Sequence, residues 1–429
     1  MPPTNPTAGP GTTSHDVVLT TRGRPFRLLW LAQTTGQFGS QVTIIALPLV
    51  AILALEAPDF WVAALSAAAF LPYLLVGLHA GVYVDRWNRK RVMVVCDLGR
   101  AVLLAAIPVL GAVSLLSIWT LVVIAVLLGS FNVFFEIAYQ AYLPQVVDRA
   151  WLPDGNSKLE MSNSAARVIG PGAGGTLVQV MGPVVAMLSG CFTYVISAIS
   201  LVASRAAPDP GTPGKERASV RKEIMEGLEF VWRSTVLRSL MSSYTINVLF
   251  IGAYQAVVIL FMARHLQLSA AAIGLVYAIG NTGFLVGAVA SRWLSRRAGL
   301  GPSTVLGLGL VASGFLVTAA APPAAAIPVL AAGQFISSLG LPIYNVNFVT
   351  LRQAMTPNPL LGRVSSVSRV LGRGIVPAGA IIGGALTVVA GPRITVAVAG
   401  VGGLIALLPA LRGAIVAVRT VDDLERTPS

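Results

Sequence analysis

The chain has 429 residues, 55% of them hydrophobic and only 11% charged, and its mean hydropathy is +0.77. Soluble domains carry about 25% charged residues, so these totals exclude an ordinary soluble fold and indicate a polytopic membrane protein. The formal net charge of +13 does not indicate a nucleic-acid binder, because the bases are spread through short loops and form no compact basic domain with interleaved aromatics.

Residues 1–27 are polar and rich in Pro, Thr and Gly. They lack the short apolar core and small-residue cleavage site of a signal peptide, and are expected to form a disordered cytoplasmic tail. Six apolar segments follow in a first half, 28–204, at roughly 28–54, 61–84, 92–115, 118–143, 160–181 and 183–204. A second half, 237–418, carries six more at roughly 237–262, 270–294, 302–321, 325–350, 366–390 and 393–417. A helix needs about 20 such residues to cross a bilayer. The expected fold is therefore an all-α polytopic membrane protein of about twelve transmembrane helices in two six-helix halves.

Between the halves lies a loop, 205–236. Its first part, "AAPDPGTPGKERAS", reads as linker. Its second, "VRKEIMEGLEFVWR", sets Ile224, Leu228 and Val231 at helical spacing with charges opposite, as in a short helix on the membrane surface. Residues 419–429 form a C-terminal tail.

The loops alternate in charge. Bases gather before the first segment (Arg22, Arg24, Arg27), after the second (Arg86, Arg89, Lys90, Arg91), and in the fourth, sixth, eighth and tenth loops. The odd loops are poor in them, offering Glu56 and Asp59 in the first, Arg264 in the seventh and Arg393 in the eleventh. By the positive-inside rule both termini are cytoplasmic and the protein is multi-pass in the inner (plasma) membrane.

Two weak internal matches fall in consistent register. "GVYVDRWNRKR" (81–91) aligns with "GAVASRWLSRR" (287–297), each after the second segment of its half, and "YLPQ" (142–145) aligns with "TLRQ" (350–353), each after the fourth. Parallel repeats of this kind suit a rocking transporter whose substrate site lies between the halves near the midplane.

The first of these stretches carries G-x-x-x-D-R-x-x-R-[KR] at Gly81, Asp85, Arg86, Arg89 and Lys90. It resembles the signature of the major facilitator superfamily, and the resemblance extends over nearly the whole chain. In the fifth segment Gly170, Pro171, Gly174 and Gly175 resemble the G-P-x-x-G-G core of the antiporter motif of that superfamily's exporters; a generic packing face is the plainer reading of the same residues. The opening "FRLLWLAQTTGQFGSQVTIIALPL", "CDLGRA" and "YLPQVV" resemble the branch with the enterobactin exporter and macrolide efflux proteins. Two departures bear on coupling. The fourth segment has no arginine of the kind found in many proton-coupled drug exporters, and Ser291 stands where a second-half aspartate would.

The resemblance implies that the loop at Asp85 latches the cytoplasmic side when the protein faces outward. Arg369 or Arg373 is a candidate partner for it. Ionisable residues at membrane depth are costly and usually face partners or water, which singles out Asp97, Arg100, Glu136 and Arg167. Asp97 and Arg100, three apart on one helical face, are expected to pair. Glu136 is the candidate to carry a proton or meet a cationic substrate, the alternative being a structural pair with Arg100 or Arg167. Because spans one, four, seven and ten line the cavity of the resembled fold, Gln33, Gln37, Gln41, Asn132, Asn247, Tyr254, Gln255, Gln334, Tyr344 and Asn345 are candidate cavity residues; interhelical hydrogen bonding is the alternative for each.

Cys96 and Cys191 lie in apolar runs and read as small core residues. The three histidines are scattered, no metal-ligand spacing is present, and no G-x-x-x-x-G-K-[ST] loop is available for ATP, so no cofactor or metal is expected. The function expected is secondary active efflux of a small amphipathic organic compound (drug, macrolide or siderophore-like) by proton antiport through alternating access. The partners are then the substrate, the proton and the lipid bilayer, in a fold complete as a monomer. A proton-coupled importer or uniporter of a small nutrient is the alternative. A membrane sensor or scaffold would leave the repeats and hinge loops without use, and for an embedded enzyme no nucleophile, base and orienting group converge in the sequence.

Overall fold

The computed structural model describes residues 21, 23–76, 80, 83–84, 86–148, 151–204, 220–412, 415–416 and 418–419. Most of the expected N-terminal tail (1–20 and 22), Gly81 and Asp85 of the loop motif, the linker at 205–219 and most of the C-terminal tail lie outside them. The last residues of the N-terminal tail are not free, since Thr21 is buried and donates to Asp154 and the first helix already begins at Arg24. Among the described residues the chain is helical throughout. In the first half these are α1 (Arg24–Leu49), α2 (Asp59–Leu75), α3 (Arg89–Ala112), α4 (Ile118–Val146), α5 (Leu152–Met181) and α6 (Pro183–Ala203). A connecting helix α7 (Val220–Arg233) leads to α8 (Thr235–Leu260), α9 (Ala270–Ala298), α10 (Leu300–Ala319) and α11 (Ala326–Ala354). The chain ends with α12 (Leu361–Gly374), α13 (Val376–Ala390), α14 (Pro392–Ile405) and α15 (Leu407–Arg412).

Among the described residues, ten helical stretches are long and apolar enough to cross a membrane, α12 with α13 and α14 with α15 each counting as one. The other two traverses are α2, which is short, and α5, whose first turns carry Asp154, Lys158 and Glu160. α5 begins eight residues earlier than its apolar stretch at 160–181, because Pro153 near its N-terminus and Asp154 in its first turn favour helix initiation there.

The two halves repeat one another in packing. α1 lies on α5 and α6, α3 on α4 and α6, and α2 on α4. In the second half α8 lies on α13 and α14, α10 on α11 and α14, and α9 on α11, the same five contacts. The repeat extends to the backbone. α1 ends in a π-helical turn at Val50–Ala54 and α8 in one at Phe261–His265, each closed by a non-glycine residue at positive φ, Glu56 (47°) and Gln267 (52°). Gly182 and Gly391, each before a proline, stand at φ 80° and 84° with ψ near 160°. Only glycine occupies that region readily, so two corners of the repeat are written as Gly-Pro.

Lipid offers helices no hydrophobic drive to associate, so close packing of small residues takes its place. The halves meet where α5 crosses α9 and where α2 crosses α12 and α13. At the first crossing a Cβ on Gly274 would stand 2.6 Å from the Pro171 carbonyl oxygen.

The two ends of the bundle differ. At the end carrying Glu56, Asp59 and Arg264, a single apolar core runs through both halves, from Ile45, Val50 and Val62 to Val257, Phe261 and Ile273. At the opposite end, which bears Arg86, Lys90, Arg292, Arg296 and Arg297 and is called the basic end below, the core is divided. Phe26, Met93 and Tyr142 belong to a first-half cluster, and Leu240, Tyr344 and Phe348 to a separate second-half cluster.

α7 packs on α12 through Gly227 and an ion pair from Glu226 to Arg363 (2.6 Å). It buries Val231 and leaves Met225, Leu228 and Trp232 exposed. The apolar stripe expected from the sequence is thus divided between the protein and the outer surface.

Candidate functional site

A cavity of about 170 Å³ lies between the halves. The first half contributes Gln41 and Ile45 from α1 and Arg167 and Pro171 from α5; the second contributes Tyr254 and Gln255 from α8, with further residues from α9, α10 and α11. A hydrogen-bonded chain crosses it. The Tyr254 hydroxyl donates to Gln334 Oε1 (3.3 Å), Gln334 Nε2 donates to Asn281 Oδ1 (3.2 Å), and Asn281 Nδ2 donates to the Arg167 carbonyl of the other half (2.7 Å). Tyr254 also stacks on Phe315 at 3.8 Å, so its ring is held edge and face.

Of the candidate cavity residues, Gln41, Tyr254, Gln255 and Gln334 line this space. Five others do not. Gln33 is buried in the helix packing, Gln37 is half-buried away from the cavity, and Asn132 accepts a bond from Arg100 (3.0 Å). Asn247 is buried with both amide atoms unbonded, and Asn345 is exposed and outside the cavity lining. Tyr344, a further candidate, is buried and stacks with Tyr244. For the three glutamines of α1 the reason is geometric: each step of four residues moves about 6 Å along the helix and about 40° around it, and only Gln41 reaches the cavity. Asn281, Ser337 and Ser338 were not singled out from the sequence, although Asn281 interrupts an apolar run in α9 in the same way as the glutamines of α1.

Asp97 and Arg100 pair as expected, and the pair is fully engaged within the first half. Asp97 is completely buried and also accepts from Ser197 Oγ (2.6 Å). Arg100 bonds Asn132 and the Cys96 carbonyl, and its guanidinium lies over the rings of Phe135 (4.2 Å) and Tyr194 (4.4 Å). The knot ties α3, α4 and α6 together.

Glu136 is not in the pair with Arg100 or Arg167 that was the alternative to a proton- or cation-handling role. Arg100 is occupied by Asp97, and Glu136 instead forms an ion pair across the halves with Arg373 at the end of α12. The Tyr73 hydroxyl donates to Glu136 at 3.4 Å, and the Arg373 guanidinium lies over the Tyr73 ring at 4.7 Å. Arg369, the other candidate latch partner, bonds Ser366 on its own helix. A second cross-half ion pair closes the far end, where Arg264 binds Asp59 and donates to the Ala57 carbonyl (2.7 Å).

The described part of the loop motif anchors its own half. Asn88 caps α3 by accepting from the Arg91 amide, and Lys90 Nζ donates to the Val202 (3.0 Å) and Ser204 carbonyls at the end of α6. Arg86 is exposed. The glycines of the second motif are close-contact positions. A Cβ would stand 2.5 Å from Gln41 Cβ at Gly170, 3.0 Å from Val42 Cα at Gly174 and 2.8 Å from Gly274 Cα at Gly175. The motif therefore fits α5 between α1 of its own half and α9 of the other, beside the cavity.

The sequence model of the Major Facilitator Superfamily matches residues 29–377. Over 391 residues the chain is 32% identical to the Multidrug efflux pump Tap of Mycolicibacterium fortuitum, covering 87% of this chain and 92% of that protein. Over 414 residues it is 30% identical to the protein of the same name in Mycobacterium tuberculosis, with 91% and 94% covered. Among solved structures, a bacterial homologue of the iron transporter ferroportin in its inward-facing state superposes with a TM-score of 0.68 at 20% identity, covering 91% of this chain and 98% of that one.

Proposed function

The chain belongs to the major facilitator superfamily, and we propose that it is a secondary active exporter of small amphipathic organic compounds, drugs among them, working by alternating access with proton antiport. The observation that carries this reading is the cavity at Gln41, Tyr254 and Gln334, closed at one end by a continuous core and the Asp59–Arg264 pair and flanked at the other by two divided cores. The positive-inside bias puts the basic end and both termini in the cytoplasm of a plasma-membrane protein. The arrangement is then sealed on the outer side and, on the cytoplasmic side, still bridged by Glu136 and Arg373. The name multidrug efflux pump, borne by relatives alike over nine-tenths of their length, supports drugs as cargo and export as direction.

Pockets that hold drug-sized ligands measure roughly 300–1,000 Å³, more than this cavity offers, so loading requires the halves to part further at the basic end. The Glu136–Arg373 bridge spans that opening. Protonation of Glu136 removes its charge and releases Arg373, which makes the bridge the place where proton and cargo compete. The G-P-x-x-G-G contact of α5 with α1 and α9 serves as the tight pivot, and Asp85 with its neighbouring bases serves as the cytoplasmic latch of the outward-facing form. Asp97 and Arg100 hold the first half rigid as it rocks. The monomer contains the whole cavity.

The test is expression in a host stripped of its own efflux systems, challenged with macrolides, other antibiotics and siderophores. Raised resistance to some members, with lowered cellular accumulation, is expected. Unchanged resistance and accumulation throughout would contradict export.

A further inference from the structure

Resting on the reading of this cavity as the cargo site, we propose that it selects neutral or anionic aromatic compounds and excludes organic cations. Among the described residues, Arg167 is the single charged side chain lining the cavity. It has no acidic partner there. Its Nε is buried without a hydrogen bond, and its guanidinium lies 5.0 Å from the ring of Phe284, which also lines the space.

The acids that could balance it are spent elsewhere. Asp97 is held by Arg100, Glu136 by Arg373 and Asp59 by Arg264. Glu160, on Arg167's own helix, is exposed two turns toward the basic end. Glu160 acts on Arg167 through space and forms no ion pair with it. An arginine with no counter-charge in contact, in a partly desolvated space, sets a positive potential where like charges repel more strongly than in water. A planar guanidinium offers a forked pair of donors to a carboxylate, sulfonate or phenolate. The remaining lining suits an aromatic body, with Tyr254, Tyr277, Phe284 and Phe315 for stacking and amides that accept or donate without charge. The cation-binding role considered for Glu136 has no place in this cavity.

Tetraphenylborate and tetraphenylphosphonium have the same shape and opposite charge, which makes them suitable probes. Their binding to the full-length protein in lipid nanodiscs, corrected for empty discs, is to be compared between wild type, Arg167→Lys, Arg167→Gln and Arg167→Glu. Thermal melting of each variant verifies folding. Wild type and Arg167→Lys should bind the borate at least tenfold more tightly than the phosphonium. Arg167→Gln should remove that ratio, and Arg167→Glu should reverse it. Equal or tighter phosphonium binding by wild type, or a ratio unaffected by Arg167→Gln, would overturn the charge selection while leaving the cargo site standing. If an Ala278→Trp substitution on α9, placed against Gly172 beside the cavity, leaves the binding of both probes unchanged, they bind elsewhere, and the cavity reading fails together with the charge inference.

Discussion

Glu136 of α4 and Arg373 of α12, 237 positions apart, join the two halves on the basic side of the cavity, with Tyr73 bonded to the first and stacked under the second. Both side chains are a third to a half exposed. An ion pair in that setting contributes no more than about 1 kcal/mol to stability. Glu136→Gln should therefore leave the melting temperature within a few degrees of wild type while lowering both drug efflux and cargo-driven proton release in vesicles. The exchanged pair Glu136→Arg with Arg373→Glu should recover part of the efflux. Unchanged efflux and proton release in Glu136→Gln would remove the bridge from the mechanism.

The knot at Asp97 predicts the reverse pattern. Removing one member of a buried pair costs about 3–5 kcal/mol, because Arg100 would stay buried with its charge uncompensated. Asp97→Ala should lower the melting temperature and the yield of folded protein sharply. Asp97→Asn, whose carbonyl oxygen still accepts from Arg100 while its amide N–H can donate to the Ser197 hydroxyl oxygen, should lower them less. Transport per folded molecule should persist in Asp97→Asn, measured by normalising efflux to the monodisperse fraction.

These two sites mark what a linear reading reaches. Asp97 and Arg100 lie one helical turn apart, so their pairing is legible from spacing alone, as are the spans, the alternation of basic loops and the small-residue face of α5. The Glu136–Arg373 pair is not, because it depends on where two halves dock. Nothing local distinguishes Arg373 from Arg369, four residues earlier on the same helix. The cavity was half legible. Gln41, Tyr254, Gln255 and Gln334 stand in it, whereas Gln33 and Gln37 show that a polar ladder identifies a helix and not the residue on it that faces inward. The two Gly-Pro corners at Gly182 and Gly391 were readable as a further echo of the repeat, since their meaning is a backbone angle written in the sequence.

The α5–α9 crossing yields a packing prediction. Gly175→Val would bring side-chain atoms against Gly274, whose Cα already stands 2.8 Å from the position of a Cβ on residue 175. Overpacking of this kind costs about 1–3 kcal/mol and separates the halves at their contact. The variant should insert and fold with a lowered melting temperature and show little efflux. Gly172→Ala, where the nearest atom is the Ala278 methyl at 3.3 Å, should be milder. Full efflux by Gly175→Val would show that the close contact is not needed for transport.

The far end is held by Asp59 and Arg264 together with the continuous core. Asp59→Asn should shift the population toward the form open at that end. Spin labels at Glu56 and Gln267, the exposed corners that follow the two π-helical turns, report it. The distance distribution should gain a longer component in the variant, and an unchanged distribution would assign closure to the apolar core alone.

The most direct test of the central claim uses inside-out membrane vesicles and a compound to which the expressed protein confers resistance. Imposing a pH gradient, acid inside, should drive uptake of that compound into vesicles containing wild-type protein. Uptake should collapse on dissipating the gradient and be strongly reduced in Glu136→Gln. Uptake that is independent of the gradient and equal in Glu136→Gln would contradict a proton-driven exporter gated by the bridge between Glu136 and Arg373.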